Sequence, residues 1–146
     1  MVALAVAVAL AVAAPAAAQF RKIEMAFEGI GCAPCLESLP ARIKRMRGVE
    51  TAEVDAEKGV LRMTLAAENR VRLEQVRDTI GQDGTKVTWA EVEVRGEVVN
   101  ENGWKLRLTR GPAYPLKGQV TAGRRTIVGR VDDPASMTIA VRTMRD

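Results

Sequence analysis

The sequence predicts an α+β fold, a βαββαβ unit followed by a small all-β unit. Between Phe20 and Trp89 the spacing of apolar residues passes twice from a period of two to a helical period and back. Beyond Glu91 no helical period returns, and short apolar runs are separated by clusters of Gly, Pro, Asn and Asp. The chain of 146 residues is 47% hydrophobic but only 3% aromatic, so Val, Leu, Ile, Ala and Met must fill one ordinary core or two small ones.

The first eighteen residues, MVALAVAVALAVAAPAAA, carry no charge and end in three alanines before Gln19. That is the small-residue pattern of a cleaved secretory signal. A signal peptide over 1–18 would leave the mature chain in a secreted or periplasmic, oxidising location. An uncleaved anchor is the alternative, because the run approaches the roughly 20 residues that span a bilayer.

Residues 20–28 alternate Ile23, Met25 and Phe27 against Lys22, Glu24 and Glu28, as a half-buried strand does. Leu36, Leu39, Ile43 and Met46 follow at helical spacing up to a stop at Gly48. Pro40 lacks the N–H that would bond the carbonyl of Leu36, which predicts a kink or a helix start nearer Ser38. Residues 49–54 and 60–65 flank the turn 55–59 as a hairpin. Asn69 is placed to cap a second helix carrying Val71 or Leu73, Val76 and Ile80, after which residues 85–89 return to extended structure. Strand, helix, strand, strand, helix, strand is the order of a ferredoxin-like sheet with both helices on one face.

Val87 and Trp89 share a parity that Val92, Val94 and Val98 oppose, so a bulge or boundary is expected near Ala90-Glu91. The expected domains are the signal peptide at 1–18, the ferredoxin-like unit at 19–90 and a small β-domain of unassigned role at 91–146. In the last, residues 92–99, 104–108, 119–121, 126–131 and 137–141 are strand candidates, a set compatible with an OB-like barrel. So short a unit has a thin core and gains from packing on the first.

There is no histidine, which removes the usual general base, the commonest metal ligand and any Cys-His nucleophile. The formal net charge of +4, spread through the chain, points to a solvated surface and not to nucleic acid. Arg107, Arg110, Lys117, Arg124, Arg125 and Arg130, with Trp104 and Tyr114, could make a basic and aromatic patch in the tail; a solvated face or a docking surface for an acidic partner is the favoured reading. Asp132-Asp133 before Pro134 reads as a turn. Met25, Met46 and Met63 fall on apolar faces and read as core filling, not as thioether ligands.

Chemistry therefore falls to Cys32 and Cys35, the only cysteines, three residues apart where a strand passes into a helix. Free N–H groups at such a helix mouth favour thiolate over thiol. Spacing alone leaves three readings open: a metal clamp, a redox pair in which Cys32 attacks and Cys35 resolves, and a structural disulfide. Cys-Ala-Pro-Cys has the proline placement of thioredoxin-like sites, but only about 13 mature residues precede it, too few for a preceding βαβ unit.

The run Gly29-Ile30-Gly31-Cys32-Ala33-Pro34-Cys35, a strand before it, a helix after it, and then "GVETAEVD" from Gly48 together resemble the heavy-metal-associated (HMA) domain of copper chaperones, periplasmic mercury-binding proteins and P-type ATPase leader domains. The resemblance covers about residues 20–89. It implies a ferredoxin-like domain that is not an enzyme, holding one soft ion through Cys32 and Cys35 and exchanging it with a metal-donor or metal-acceptor protein. Ile30 stands where that family usually has Met, Gly31 where it often has Thr, His or Asp, and Thr85 near a loop position that often carries Tyr or Lys. Two thiolates suit Cu(I) best, with Ag(I) or Hg(II) as alternatives. Zn(II) would need further ligands, for which Glu28, Glu37 and Asp83 are the nearby carboxylates. No nucleic-acid partner is expected, and a membrane only through an uncleaved leader.

Overall fold

The computed structural model of the chain describes residues 18–29 and 31–146. The expected signal peptide, except Ala18, and the position of Ile30 lie outside the described residues. Ten elements follow in order: β1 (Gln19–Glu28), α1 (Ala33–Lys44), β2 (Val49–Asp55), β3 (Val60–Leu65), α2 (Leu73–Gly81), β4 (Lys86–Asn100), β5 (Trp104–Arg107), β6 (Tyr114–Lys117), β7 (Gly123–Val131) and β8 (Ile139–Arg145). None of the described helices is long and apolar enough to cross a membrane.

β1 lies between β3 and β4, both antiparallel to it, with Met25 opposite Leu61 on one side and Ala90 on the other. β2 flanks β3, which gives the order β2-β3-β1-β4 expected of a split βαβ sheet. The stripes Leu36, Leu39, Ile43 of α1 and Leu73, Val76, Ile80 of α2 are buried in one core with Ile23, Met25, Leu61 and Met63. The period-two and helical patterns thus meet on a shared interior.

β4 is a single strand of fifteen residues that crosses 90–91 without a break. The parity change has another cause: Ala26 faces Trp89 while Phe27 faces Val87, so Thr88 is an extra residue in the ladder. Beyond this bulge β4 pairs with β7 along its other edge, from Ala90↔Val131 to Val98↔Gly123, and with β5, on the edge that β1 has left, from Glu97 to Asn100. β5 pairs with β6, β6 runs parallel to β8, and β8 pairs with β7, so β4-β5-β6-β8-β7 closes back on β4 as a ring. The ring closes tightly over Gly96, where a Cβ would stand 2.6 Å from Leu106 Cδ1.

The ring is fastened to the first sheet by Tyr114. Its side chain is buried and meets Phe20 edge-on, with ring centroids 5.4 Å apart. The hydroxyl accepts from Leu73 N–H at 3.2 Å and donates to Glu74 Oε2 at 2.8 Å, so it caps the open first turn of α2. Arg77 Nη1 donates to Pro134 O at 2.7 Å, a second tie between α2 and the ring.

Several local expectations are corrected. Asn69 does not cap α2; Arg72 is the N-cap residue and offers no side-chain bond. Asn69 is instead buried, donating to Phe20 O and Ala66 O and accepting from Val71 N–H, so it ties the loop before α2 to β1. Pro40 sits inside a helix that nonetheless starts at Ala33. Residues 119–121 form no strand, whereas β6 (Tyr114–Lys117) begins inside the Gly- and Pro-containing stretch 111–115, which the sequence marks as a separator between strands. Pro115 is tolerated there because β6 is a short strand with Pro115 opposite Lys105, near the end of its pairing.

Candidate functional site

β1 ends at Glu28, and the chain turns at Gly29 with φ +70°, a conformation that favours glycine. Cys32 is then the N-cap of α1, extended at φ −154° and ψ 105°, and its Sγ accepts from Cys35 N–H at 3.2 Å. Leu36 N–H bonds Cys32 O at 3.1 Å, so the first turn is closed. Pro34 costs nothing there, since an N–H in the first turn has no partner within the helix.

Cys32 and Cys35 are both half-buried, with Cα atoms 5.2 Å apart, and are joined as a disulfide. This is the oxidised form of the pair. Two electrons and two protons convert it to two thiols, and the open N–H groups of the turn then favour their ionisation.

Two contacts set the loop against α2 and β4. A Cβ on Gly31 would lie 2.7 Å from Asp83 O, so the backbone of the cysteine loop rests on the α2–β4 connection, and only glycine fits. That is the physical reason for the departure at Gly31. Thr85 N–H donates to Asp83 Oδ1 at 3.0 Å. Hydrogen bonding from Thr85, opposed by partial desolvation and aided by the Arg42 charge, holds the Asp83 carboxyl below the usual carboxylate range.

Arg42 makes the second contact. Its Nη2 donates to Cys35 O at 3.1 Å, while Nη1 donates to Gln82 Oε1 at 3.0 Å and Thr79 O at 3.4 Å. Ser38 Oγ donates to Cys35 O as well, at 2.9 Å. The carbonyl next to the second sulfur is therefore anchored twice.

The carboxylates expected as supplementary ligands do not converge with the sulfurs: among the described residues no group of three or more His, Cys, Asp or Glu side chains could hold a metal ion. Met25 and Met63 are buried in the core and Met46 packs against it. The basic and aromatic patch of the tail is not assembled either. Tyr114 is buried, Arg107 pairs with Glu101, and Arg125 with Asp146. Arg130 lies 4.3 Å over Trp89 and pairs with Glu91 and Asp132. Asp133 forms the expected turn, accepting from Ala135 N–H.

Sequence reasoning placed Asp83 near the pair, as a supplementary carboxylate, but missed Arg42. Arg42 follows Cys35 by two helical turns, a spacing that puts it on the same side of α1, but its partners on α2 had no signal in the sequence.

No family model matches the chain. It is similar to the copper chaperone CopZ of Staphylococcus haemolyticus (strain JCSC1435), 35% identical over 60 residues that cover 41% of this chain and 87% of that protein. Among solved structures it is similar to a CopZ metallochaperone, with 24% identity, TM-score 0.40 and coverage of 45% and 97% of the two chains. A copper binding domain from HMA7, a P-type ATPase, gives 25% identity, TM-score 0.39 and coverage of 49% and 92%. At those scores the structures add nothing to the sequence kinship.

Proposed function

The chain belongs to the heavy-metal-associated domain family, and from that membership we propose that it binds one Cu(I) ion through the reduced Cys32–Cys35 pair and passes it to a partner protein. The observation that carries this reading is the placement of both sulfurs at the mouth of α1, side by side and partly open to solvent, on a chain without histidine. Two thiolates satisfy a soft, two-coordinate cation, and Ag(I) and Hg(II) would occupy the same pair. Transfer is ligand exchange: a partner thiolate bonds to the ion as Cys32 or Cys35 leaves it, with no change in oxidation state. The chain acts here as a carrier, not as an enzyme, and the partner is a metal donor or acceptor of the kind its relatives' names describe.

The same reading assigns residues 1–18 to an export signal and the carrier to a secreted or periplasmic location. Residues 19–90 are the metal-holding unit. Residues 91–146 are an OB-like ring whose role is to brace α2 through Tyr114 and Arg77.

The disulfide supports a second reading, thiol–disulfide exchange, in which Cys32 attacks a substrate disulfide and Cys35 resolves the mixed disulfide. One experiment separates the two. The chain, reduced under anaerobic conditions, is titrated with Cu(I) against a competing chelator, alongside the Cys32→Ser, Cys35→Ser double variant. One tightly held equivalent, lost in the variant, is the expected result. Equal copper uptake by both proteins would remove the carrier reading, and turnover on a disulfide substrate would install the exchange reading in its place.

A further inference from the structure

At the end of β1 remote from the cysteines, Arg47, Arg70 and Arg110 line a pocket of about 310 Å³. They arrive from three separate segments: the stretch after α1, the loop before α2 and the β5–β6 connection. Among the described residues none of the three has an ion pair or side-chain hydrogen bond, whereas seven other arginines pair with carboxylates. Glu68 is the only carboxylate in the pocket wall. The positive field at this pole is thus left largely uncompensated, at the repulsion cost that clustered like charges carry.

The pocket's inner wall includes Gln19, whose side chain is 4% exposed and whose Oε1 has no partner. Neighbouring Asn69 is already spent on Phe20, Ala66 and Val71, so it forms wall, not ligand. The ligand chemistry is that of a phosphate, which several cationic forks on an open rim recognise.

The same pole holds Ala18, the residue that follows the most apolar part of the sequence. Ala18 N–H donates to Thr109 Oγ1 at 2.9 Å and Thr109 N–H donates to Ala18 O at 3.0 Å, so the uncharged residues 1–17 join the fold beside Arg110. We propose that this arginine pole docks the protein on a membrane surface bearing anionic phosphate headgroups. β1 then runs ten residues away from that surface, about 30 Å, and presents the Cys32–Cys35 pair outward. A basic cluster beside an apolar segment is the combination that anionic bilayers attract, and the arginines remain as its electrostatic part once that segment is removed.

The test is sedimentation of the full chain with phosphatidylcholine vesicles, with and without phosphatidylglycerol. The apolar leader contributes equally to both, so the gain in affinity with the anionic lipid is the readout. Wild type should show that gain, and it should shrink with added salt. The variant Arg47→Gln, Arg70→Gln, Arg110→Gln should lose roughly fivefold of the gain per arginine removed. A control with the same change in net charge, Lys58→Gln, Lys86→Gln, Lys117→Gln, should keep it.

If the triple variant fails to fold by circular dichroism, Arg110→Gln alone, in an exposed connection, should still lose its fivefold share. Equal losses in arginine variant and control, or no gain in wild type, would overturn the proposal. Thermal melting in inorganic phosphate distinguishes the sources: stabilisation of wild type but not of the arginine variant, without any vesicle gain, would make this a free-phosphate site and end the membrane reading.

Discussion

The two ends of β1 are held in opposite ways. At the Gln19 end, Phe20 and Tyr114 are buried against each other, Asn69 makes three hydrogen bonds beneath the surface, and Tyr114 closes the first turn of α2. At the Glu28 end, none of the described residues of the cysteine loop before Leu36 is buried, and the loop is steadied by backbone contact with Asp83 and by Arg42. Burial and satisfied polar groups concentrate resistance to unfolding at the first end, and sparse packing leaves the second end free to open locally. A ligand-exchange site benefits from that distribution, because an incoming partner must reach the sulfurs without unfolding the sheet.

The sharpest way to break this comparison is Tyr114→Ala. It removes a fully buried aromatic and both bonds of its hydroxyl, with an expected loss of about 4 kcal/mol in urea unfolding. Because β4 and Tyr114 join the ring to the first sheet, wild type should unfold in one transition by fluorescence and circular dichroism together. Two separated transitions in wild type would mean that the junction does not bind the halves into one cooperative unit. Asn69→Ala should come next, at about 2 to 3 kcal/mol, since it strands Phe20 O, Ala66 O and Val71 N–H in a buried place.

Tyr114→Phe is gentler, about 1 to 2 kcal/mol at neutral pH, from the lost partners of Leu73 N–H and Glu74. It also carries a pH signature. Burial first, and then the hydrogen bond to Glu74 and its negative charge, push the Tyr114 phenol well above its ordinary range. The unfolded chain therefore releases this proton at lower pH than the folded one. The stability linked to the neutral phenol is fully present below about pH 10 and is lost as pH rises further. Urea midpoints measured from pH 8 upward should fall more steeply in wild type than in Tyr114→Phe; parallel curves would show that Tyr114 is not protected from ionisation.

The legible parts of the fold were those written in periodicity. Ile23, Met25, Leu39, Ile43, Met63 and Val76 declared their elements and their burial, and the Cys32–Cys35 pair declared the candidate site. What escaped notice was written in side chains whose partners are distant in sequence. Asn69 looks like a helix cap until Phe20 is seen to claim its amide, and Tyr114 looks like a loop aromatic until α2, forty residues away, claims its hydroxyl. The parity change near Ala90 was visible, yet a one-residue bulge at Thr88 and a boundary between units leave the same trace in sequence. Likewise Arg47 and Arg70 give no signal singly, Arg110 reads as part of a tail patch, and the three become a pole only when three segments fold together.

The smallest expected effect tests the open end. Arg42→Met removes the guanidinium that joins Cys35 O to Gln82 and Thr79 while keeping the aliphatic stem that packs on α1. Arg42 is half-exposed, so water can replace its hydrogen bonds and global stability should fall by less than about 1 kcal/mol. The change should appear locally instead, as faster hydrogen exchange in the first turns of α1 and a Cu(I) affinity of the reduced chain altered by less than about tenfold. An unfolding midpoint lowered as far as by Asn69→Ala would show that the cysteine end is as deeply braced as the other. The contrast between the ends of β1 would then lie in exposure alone, and not in how each is held.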